Sequence, residues 1–245
     1  MGECLQKIKL FCLPYAGGSA ISYVRLKKYL KSNIELYPIE LSGRGRRFNE
    51  SFYQNFDEAV NDASNIIIEN LDGTPYAILG HSMGCWLGLE LAYKLKEMGL
   101  YSPVHMFLSG RYPPTIKKNE ILLHTLPMEE FMSSIFELGG TPKELLEHKE
   151  LYNIYSKILY TDIKMLETFI PSQHNDKLDC NFTIFYGKND NKMSLSDANE
   201  WGFYTKRNSK VYGFEGGHFF IHENEQDIAE VICERLTDES IKYAF

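Results

Sequence analysis

Apolar positions in this chain fall into short runs separated by stretches with a helical period. Six runs read as strands: Ile8–Leu13, Ile34–Ile39, Tyr76–Leu79, Val104–Leu108, Phe182–Tyr186 and Lys210–Phe214. Turn residues follow each run, and between several of them lie amphipathic segments, Ile21–Leu30, Phe56–Leu71, Trp86–Met98 and finally Asp227–Leu236. Near-continuous apolar strands are what a parallel sheet produces, because crossover helices cover both of its faces. The alternation predicts an α/β protein with a mostly parallel, doubly wound sheet.

One interval breaks the rhythm. From Tyr112 to Ile170 there is no strand signal, although Leu, Ile, Phe and Tyr are frequent. Pro127 precedes an apolar pattern (Phe131, Ile135, Leu138) that stops at Gly139-Gly140, which predicts a helix with proline at its start and glycine past its end. Thr141-Pro142-Lys143-Glu144 has the form of a capping box. A longer helix is expected through Leu151, Ile154, Tyr155, Ile158 and Leu159, ending before Pro171. A helical insertion between two strands is placed to act as a lid, since ligands bind at the carboxyl ends of such strands. Extra packing helices without a gating role are the plainer alternative. Residues 1–245 are expected to form one domain, with the lid at about 112–170.

Composition narrows the function classes. Apolar residues make up 44% and charged residues 24%, ordinary for a globular chain of 245 residues with one core. A net charge of -7 argues against nucleic acid as a partner, because phosphate binding needs a positive surface. Arg44, Arg46 and Arg47 are a local exception, a basic cluster able to meet an anion. The five cysteines, Cys4, Cys12, Cys85, Cys180 and Cys233, are scattered and form no CxxC pair, so neither zinc nor a disulfide framework is indicated. Cys12 and Cys85 sit in apolar runs and read as small core residues. The N-terminal residues lack the apolar stretch of a signal peptide, and no run is long enough for a membrane span. A soluble, cytoplasmic monomer is the expectation, without metal or cofactor.

Chemistry concentrates at the carboxyl ends of the expected strands. Gly80-His81-Ser82-Met83-Gly84 has the Gly-x-Ser-x-Gly form, which chance alone gives in roughly one chain of this length in ten. Its setting is more telling: a strand candidate runs into it and a helix candidate follows, as a nucleophile elbow requires. A serine hydroxyl needs a base, and the base needs a third group to orient it; in this fold the order is Ser, acid, His. Asp190 lies in the turn after the strand Phe182–Tyr186, whereas Asp176, Asp179 and Asp197 sit farther from a strand end. His218 follows Gly216-Gly217 after the last strand. An ordinary imidazole titrates near about 6.5 and can accept a serine proton at neutral pH. His222 is its competitor, and the pair at i, i+4 lacks the acidic partners of a metal motif. His81, beside the nucleophile, is expected to pack or to hydrogen-bond a loop. Acyl transfer also needs N–H donors for the oxyanion. These are expected from Met83 and from the loop Pro14–Ser19, at Ala16 or a neighbour. Neither this loop nor Gly43-Arg44-Gly45 carries a phosphate or dinucleotide fingerprint.

Taken together, Leu13-Pro14-Tyr15-Ala16-Gly17-Gly18, Gly43-Arg44-Gly45 with Arg47, Gly80–Gly84, Gly187 with Asp190, and Gly216-Gly217-His218-Phe219-Phe220 resemble the type II thioesterases. These stand-alone α/β-hydrolases accompany nonribosomal peptide and polyketide synthases. The resemblance spans about Ile8 to the final helix. It implies a triad of Ser82, Asp190 and His218, with Ala16 and Met83 supplying the oxyanion N–H groups. It also implies the substrate, an acyl thioester on the phosphopantetheine arm of an acyl or peptidyl carrier protein, and a housekeeping role that frees stalled carriers. Ser42 departs from the family, which commonly has proline before Gly-Arg-Gly. A carboxylesterase or acyltransferase of the same fold, and a non-catalytic binding module, are the competing readings. For carrier docking, Lys117 with Lys118, or the Arg44–Arg47 loop, are the basic patches to inspect.

Overall fold

The computed structural model describes residues 6–118, 121–139, 148–174 and 176–237. Six strands, β1 (Ile8–Leu13), β2 (Ile34–Pro38), β3 (Tyr76–His81), β4 (His105–Ser109), β5 (Asn181–Gly187) and β6 (Ser209–Phe214), form one sheet in the order β2-β1-β3-β4-β5-β6. Every neighbouring pair is parallel. The central strands β1, β3 and β4 are buried at every position, which is why they read as unbroken apolar runs. The edge strand β6 is partly or fully exposed throughout.

Side chains alternate across the sheet and feed two apolar layers. Phe11, Leu13, Ile78, Met106, Leu108, Phe182 and Ile184 join one layer, beneath α1 (Phe56–Glu69) and α2 (Met83–Glu97). Leu10, Cys12, Ala77, Leu79, Phe107 and Phe185 join the other, with α6 (Phe220–Glu223) and α7 (Glu225–Thr237). The α1 helix starts where the side chain of Asn55 accepts the Glu58 N–H at 2.9 Å, with Asp57 and Glu58 at the positive end of its dipole.

Two expectations shift. The segment Ala20–Lys28 winds as a 3₁₀ helix, not as an α-helix. Its buried residues are Tyr23 and Leu26, and side chains three apart share a face on a three-fold helix. The α2 helix begins at Met83, three residues before the apolar pattern suggested, because β3 runs on through Gly80 and His81 and the chain reverses at Ser82.

Between β4 and β5 lie α3 (Met128–Leu138) and α4 (Lys149–Glu167), and α5 (Leu195–Asn199) follows β5. Pro127 is the N-cap of α3, and Gly139 beyond its end has φ of 79°. Phe131, Met132, Ile135 and Leu159 pack α3 against α4 in a third cluster. Burial of each such side chain contributes about 1.5–3 kcal/mol, enough to hold the two helices together. The expected capping box at Thr141–Glu144 lies outside the described residues. Among the described residues no helix is long and apolar enough to cross a membrane. Cys12, Cys85, Cys180 and Cys233 are buried free thiols, and Cys4 lies outside the described residues.

Candidate active site

Ser82 stands at the junction of β3 and α2 with φ of 52° and ψ of -115°, the one positive φ among described non-glycine residues. Such a conformation costs energy and persists only where the surroundings enforce it. Here the Ser82 N–H donates to Ser109 O at 2.8 Å and the Cys85 N–H to Ser82 O at 2.9 Å. A Cβ on Gly84 would lie 2.3 Å from Leu13 O, so the turn seats directly on the end of β1.

Asp190 and His218 come from the turns after β5 and β6, and those turns pack backbone to backbone. The Lys188 N–H donates to Phe214 O at 2.8 Å and the Asn189 N–H to Gly216 O at 3.0 Å. A Cβ on Gly187 would lie 2.5 Å from Gly217 O, so glycine is required for that approach. The result is a relay. His218 Nδ1 lies 2.9 Å from Asp190 Oδ2, and His218 Nε2 lies 3.1 Å from Ser82 Oγ. The Asp190 side chain is fully buried, and its Oδ1 accepts the Lys192 N–H at 2.8 Å. An ionised carboxylate only accepts hydrogen bonds, so Nδ1 carries the proton and Nε2 faces the serine hydroxyl as an acceptor.

The rival residues are engaged elsewhere. Asp176 pairs with Lys96 and Lys206, Asp179 with Arg207, and Asp197 with Lys118. His222 Nε2 lies 3.3 Å from Tyr15 Oη. His81 is buried beneath the triad, with Nδ1 2.9 Å from Ser109 Oγ and its ring 5.3 Å from that of His218. Burial, then the neighbouring His218 and His222, holds its imidazole well below the ordinary range. A neutral ring there adds no positive charge beside His218. Among the described residues no group of three or more His, Cys, Asp or Glu side chains is arranged to hold a metal.

The loop after β1 is a closed turn in which the Gly18 N–H donates to Tyr15 O at 2.8 Å. The Gly17 N–H is taken by Asp162 Oδ2 at 2.8 Å. Those two amides are committed, and Tyr15 and Ala16 are the loop residues that line the site beside Ser82 and His218. Met83 is the first residue of α2, where helix N–H groups have no intrahelical partner and the dipole favours negative charge. A cavity of about 50 Å³ opens between Ser82 and the side chains of Ile135, Leu138, Tyr155, Leu159 and Ile163 from α3 and α4. A larger cavity of about 710 Å³, around Tyr93, His174 and Phe203, contains none of the triad residues, so size does not mark the chemistry here.

In the basic loop two of the three arginines are committed to carboxylates of the chain itself. Arg44 is buried in an ion pair with Asp162 at 2.5 Å, and Arg47 is paired with Asp62 and Glu50. Lys118 is likewise committed, to Asp197 and Lys192 O. Of the patches considered for docking, Arg46 and Lys117 are the exposed members. Ser42 also finds a reason: its N–H donates to Tyr53 Oη at 3.0 Å, a bond proline is unable to make. Asp162 itself was missed. The signal was its place among Ile158, Leu159, Met165 and Leu166, a carboxylate on the buried stripe of α4.

A parallel sheet in this order, with a strained serine between strand and helix and His218 linking it to Asp190, is the architecture of an α/β-hydrolase. The sequence profile of the thioesterase-domain family matches residues 8–239. The gramicidin S biosynthesis protein GrsT of Aneurinibacillus migulanus is 34% identical over 230 residues, 94% of this chain and 89% of that protein. The crystal structure of ClbQ, from the colibactin NRPS/PKS pathway, superposes with a TM-score of 0.92 at 32% identity, covering 98% of this chain and 100% of ClbQ. BorB, a type II thioesterase from the borrelidin biosynthetic cluster, superposes with a TM-score of 0.84 at 27% identity, covering 94% and 93%. The chain belongs to the thioesterase family, among the type II thioesterases, and is a hydrolase acting on thioesters.

Proposed function

We propose that this protein hydrolyses acyl groups from the phosphopantetheine arm of acyl or peptidyl carrier proteins, through an acyl-Ser82 intermediate, and so regenerates or releases carriers of a nonribosomal peptide or polyketide synthase. The observation that carries the mechanism is the position of His218, 3.1 Å from Ser82 Oγ and 2.9 Å from Asp190 Oδ2. The carrier substrate is supported by relatives that belong to such pathways.

In the first half-reaction His218 Nε2 takes the Ser82 proton as Oγ bonds to the thioester carbonyl carbon. Asp190 steadies the imidazolium that forms. The oxyanion accepts from the N–H groups of Met83 and Ala16, donors already in place before charge develops. Collapse breaks the C–S bond, and the departing thiolate takes the proton from His218. Water then gives a proton to His218 and bonds to the acyl carbon. The Ser82–acyl bond breaks with return of that proton to Oγ, and the free acid leaves. The α3 and α4 helices act as a lid, because their side chains wall the cavity beside Ser82 in which the acyl group would lie.

The test compares an acyl carrier protein, the same acyl group on free pantetheine, and an aryl ester. A carrier thioesterase shows the highest kcat/KM on the carrier, and Ser82→Ala loses that turnover while keeping its fold. Equal rates on all three substrates point instead to a small-molecule esterase.

A further inference from the structure

The Arg44–Asp162 pair is 3% and 1% exposed and bidentate, with Nη1 to Oδ2 at 2.5 Å and Nη2 to Oδ1 at 2.7 Å. Burying two charges costs several kcal/mol each, and a well-packed apolar pair often stabilises a fold as well or better. Stability alone is therefore a poor reason for these residues here. Their other contacts suggest a different one. Asp162 Oδ2 also accepts the Gly17 N–H at 2.8 Å, while Arg44 Nη1 donates to Gly18 O at 3.1 Å. The pair thus grips two consecutive residues, one by its N–H and the next by its carbonyl.

Those two residues close the turn that holds Ala16. With Tyr15 O accepting the Gly18 N–H, Ala16 is the first central residue and Gly17, at φ of 78°, the second, as in a type II turn. Three anchors in sequence leave Ala16 little freedom, so the direction of its N–H follows from them. One anchor comes from α4, and that helix also packs on the turn. A Cβ on Gly17 would lie 2.9 Å from Leu159 Cδ1 and 3.2 Å from Tyr155 Oη. Tyr155, Leu159 and Asp162 lie on one face of α4, three and four residues apart.

We infer that Arg44 and Asp162 are positioning residues that aim the Ala16 N–H at the oxyanion and make its alignment depend on the seating of α4 over the site. This rests on the acyl-Ser82 reading and on Ala16 as a donor. Neither residue touches the reacting atoms, so the effect falls on the transition state more than on substrate binding.

The test uses two variants of the full chain. Asp162→Asn keeps the shape but loses the charge and one acceptor. The double variant Arg44→Met with Asp162→Leu removes both charges together, so no unpaired ion is left buried. Turnover of an acyl-pantetheine substrate, melting temperature, and affinity for a trifluoromethyl ketone, which forms a tetrahedral oxyanion on serine, are measured for each. Loss of one oxyanion donor costs about 10²–10³ in kcat, and misaiming one is expected to cost about 10–100-fold. Both variants should show that loss with KM within about threefold, and ketone affinity should fall by a factor similar to kcat. In the double variant the melting temperature should recover while kcat stays low. Wild-type kcat and ketone affinity in either variant, or a loss confined to KM, overturns the inference. Failure of the underlying reading looks different: the unaltered protein would then turn over equally well with Ser82→Ala.

Discussion

A Cβ on Gly80 would lie 2.1 Å from the carbonyl oxygen of Gly84, and the next nearest atoms are also backbone. The turn that presents Ser82 closes only because neither position carries a side chain. Backbone has nowhere to move here, so Gly80→Ala and Gly84→Ala should each cost at least the ~1–3 kcal/mol typical of overpacking. Each variant is expected to melt earlier and to lose more than tenfold in the rate of Ser82 labelling by a fluorophosphonate. Thermal melts and labelling time courses check this.

Asp190→Asn tests the relay without emptying a space. The amide can present an N–H to His218 Nδ1, which favours the wrong tautomer and leaves Nε2 protonated toward Ser82 Oγ. A fall in kcat on the order of 10⁴ is expected, as in serine proteases with this change. KM and the circular dichroism spectrum should stay close to those of the unaltered protein. A loss of less than tenfold would mean that Asp190 does not orient His218.

Acid should weaken the fold through a histidine remote from catalysis. His105 opens β4, is buried, and binds Thr183 Oγ1 at 2.8 Å; burial and then nearby Arg235 lower its pKa to about 3. The unfolded chain protonates this ring below about 6.5, whereas the folded one does so only near 3. Between those values the unfolded state holds more protons, so stability is complete above about 6.5 and declines as pH falls. The slope approaches about 1.4 kcal/mol per pH unit from this residue. Urea melts at pH 7, 6 and 5 should show the decline, and His105→Gln should make it shallower, the buried His81 keeping a slope of its own.

Acyl-chain preference should respond to the wall of the small cavity. Leu138, at the end of α3, lines it and is only half-buried, so its truncation costs less stability than a core change. Leu138→Ala is expected to raise kcat/KM for longer acyl groups relative to short ones by about tenfold, since one methylene in an apolar pocket is worth about 1–3 kcal/mol. A hydrolysis panel of acyl groups differing by two carbons reads the change; an unaltered ranking would place the acyl group elsewhere.

Much of this arrangement was legible in the sequence, for a physical reason. Central parallel strands are buried on both faces, so β1, β3 and β4 stand out as apolar runs, and site residues in such folds follow their carboxyl ends. Asp190 after β5 and His218 after β6 were therefore found by position, and the structure brings them to Ser82. The Arg44–Asp162 pair was not found, because its members are 118 residues apart and a cluster of arginines reads as a surface for an external anion. Nor does periodicity distinguish the 3₁₀ winding of Ala20–Lys28, because its buried residues, Tyr23 and Leu26, are three apart and would share a face on either kind of helix. The start of α2 at Met83 depends on the reversed backbone at Ser82, which hydrophobicity does not encode.

Ser82, whose hydroxyl lies 3.1 Å from His218 Nε2, is the residue that would carry the acyl group. Mixing the protein with an acyl-pantetheine thioester, quenching with acid within milliseconds and analysing the peptides by mass spectrometry tests it most directly. An acyl-Ser82 intermediate predicts one acyl group on the peptide containing Ser82, formed before free acid accumulates and absent from Ser82→Ala. Thioester hydrolysis at the normal rate with no adduct on that peptide, or undiminished in Ser82→Ala, would contradict it.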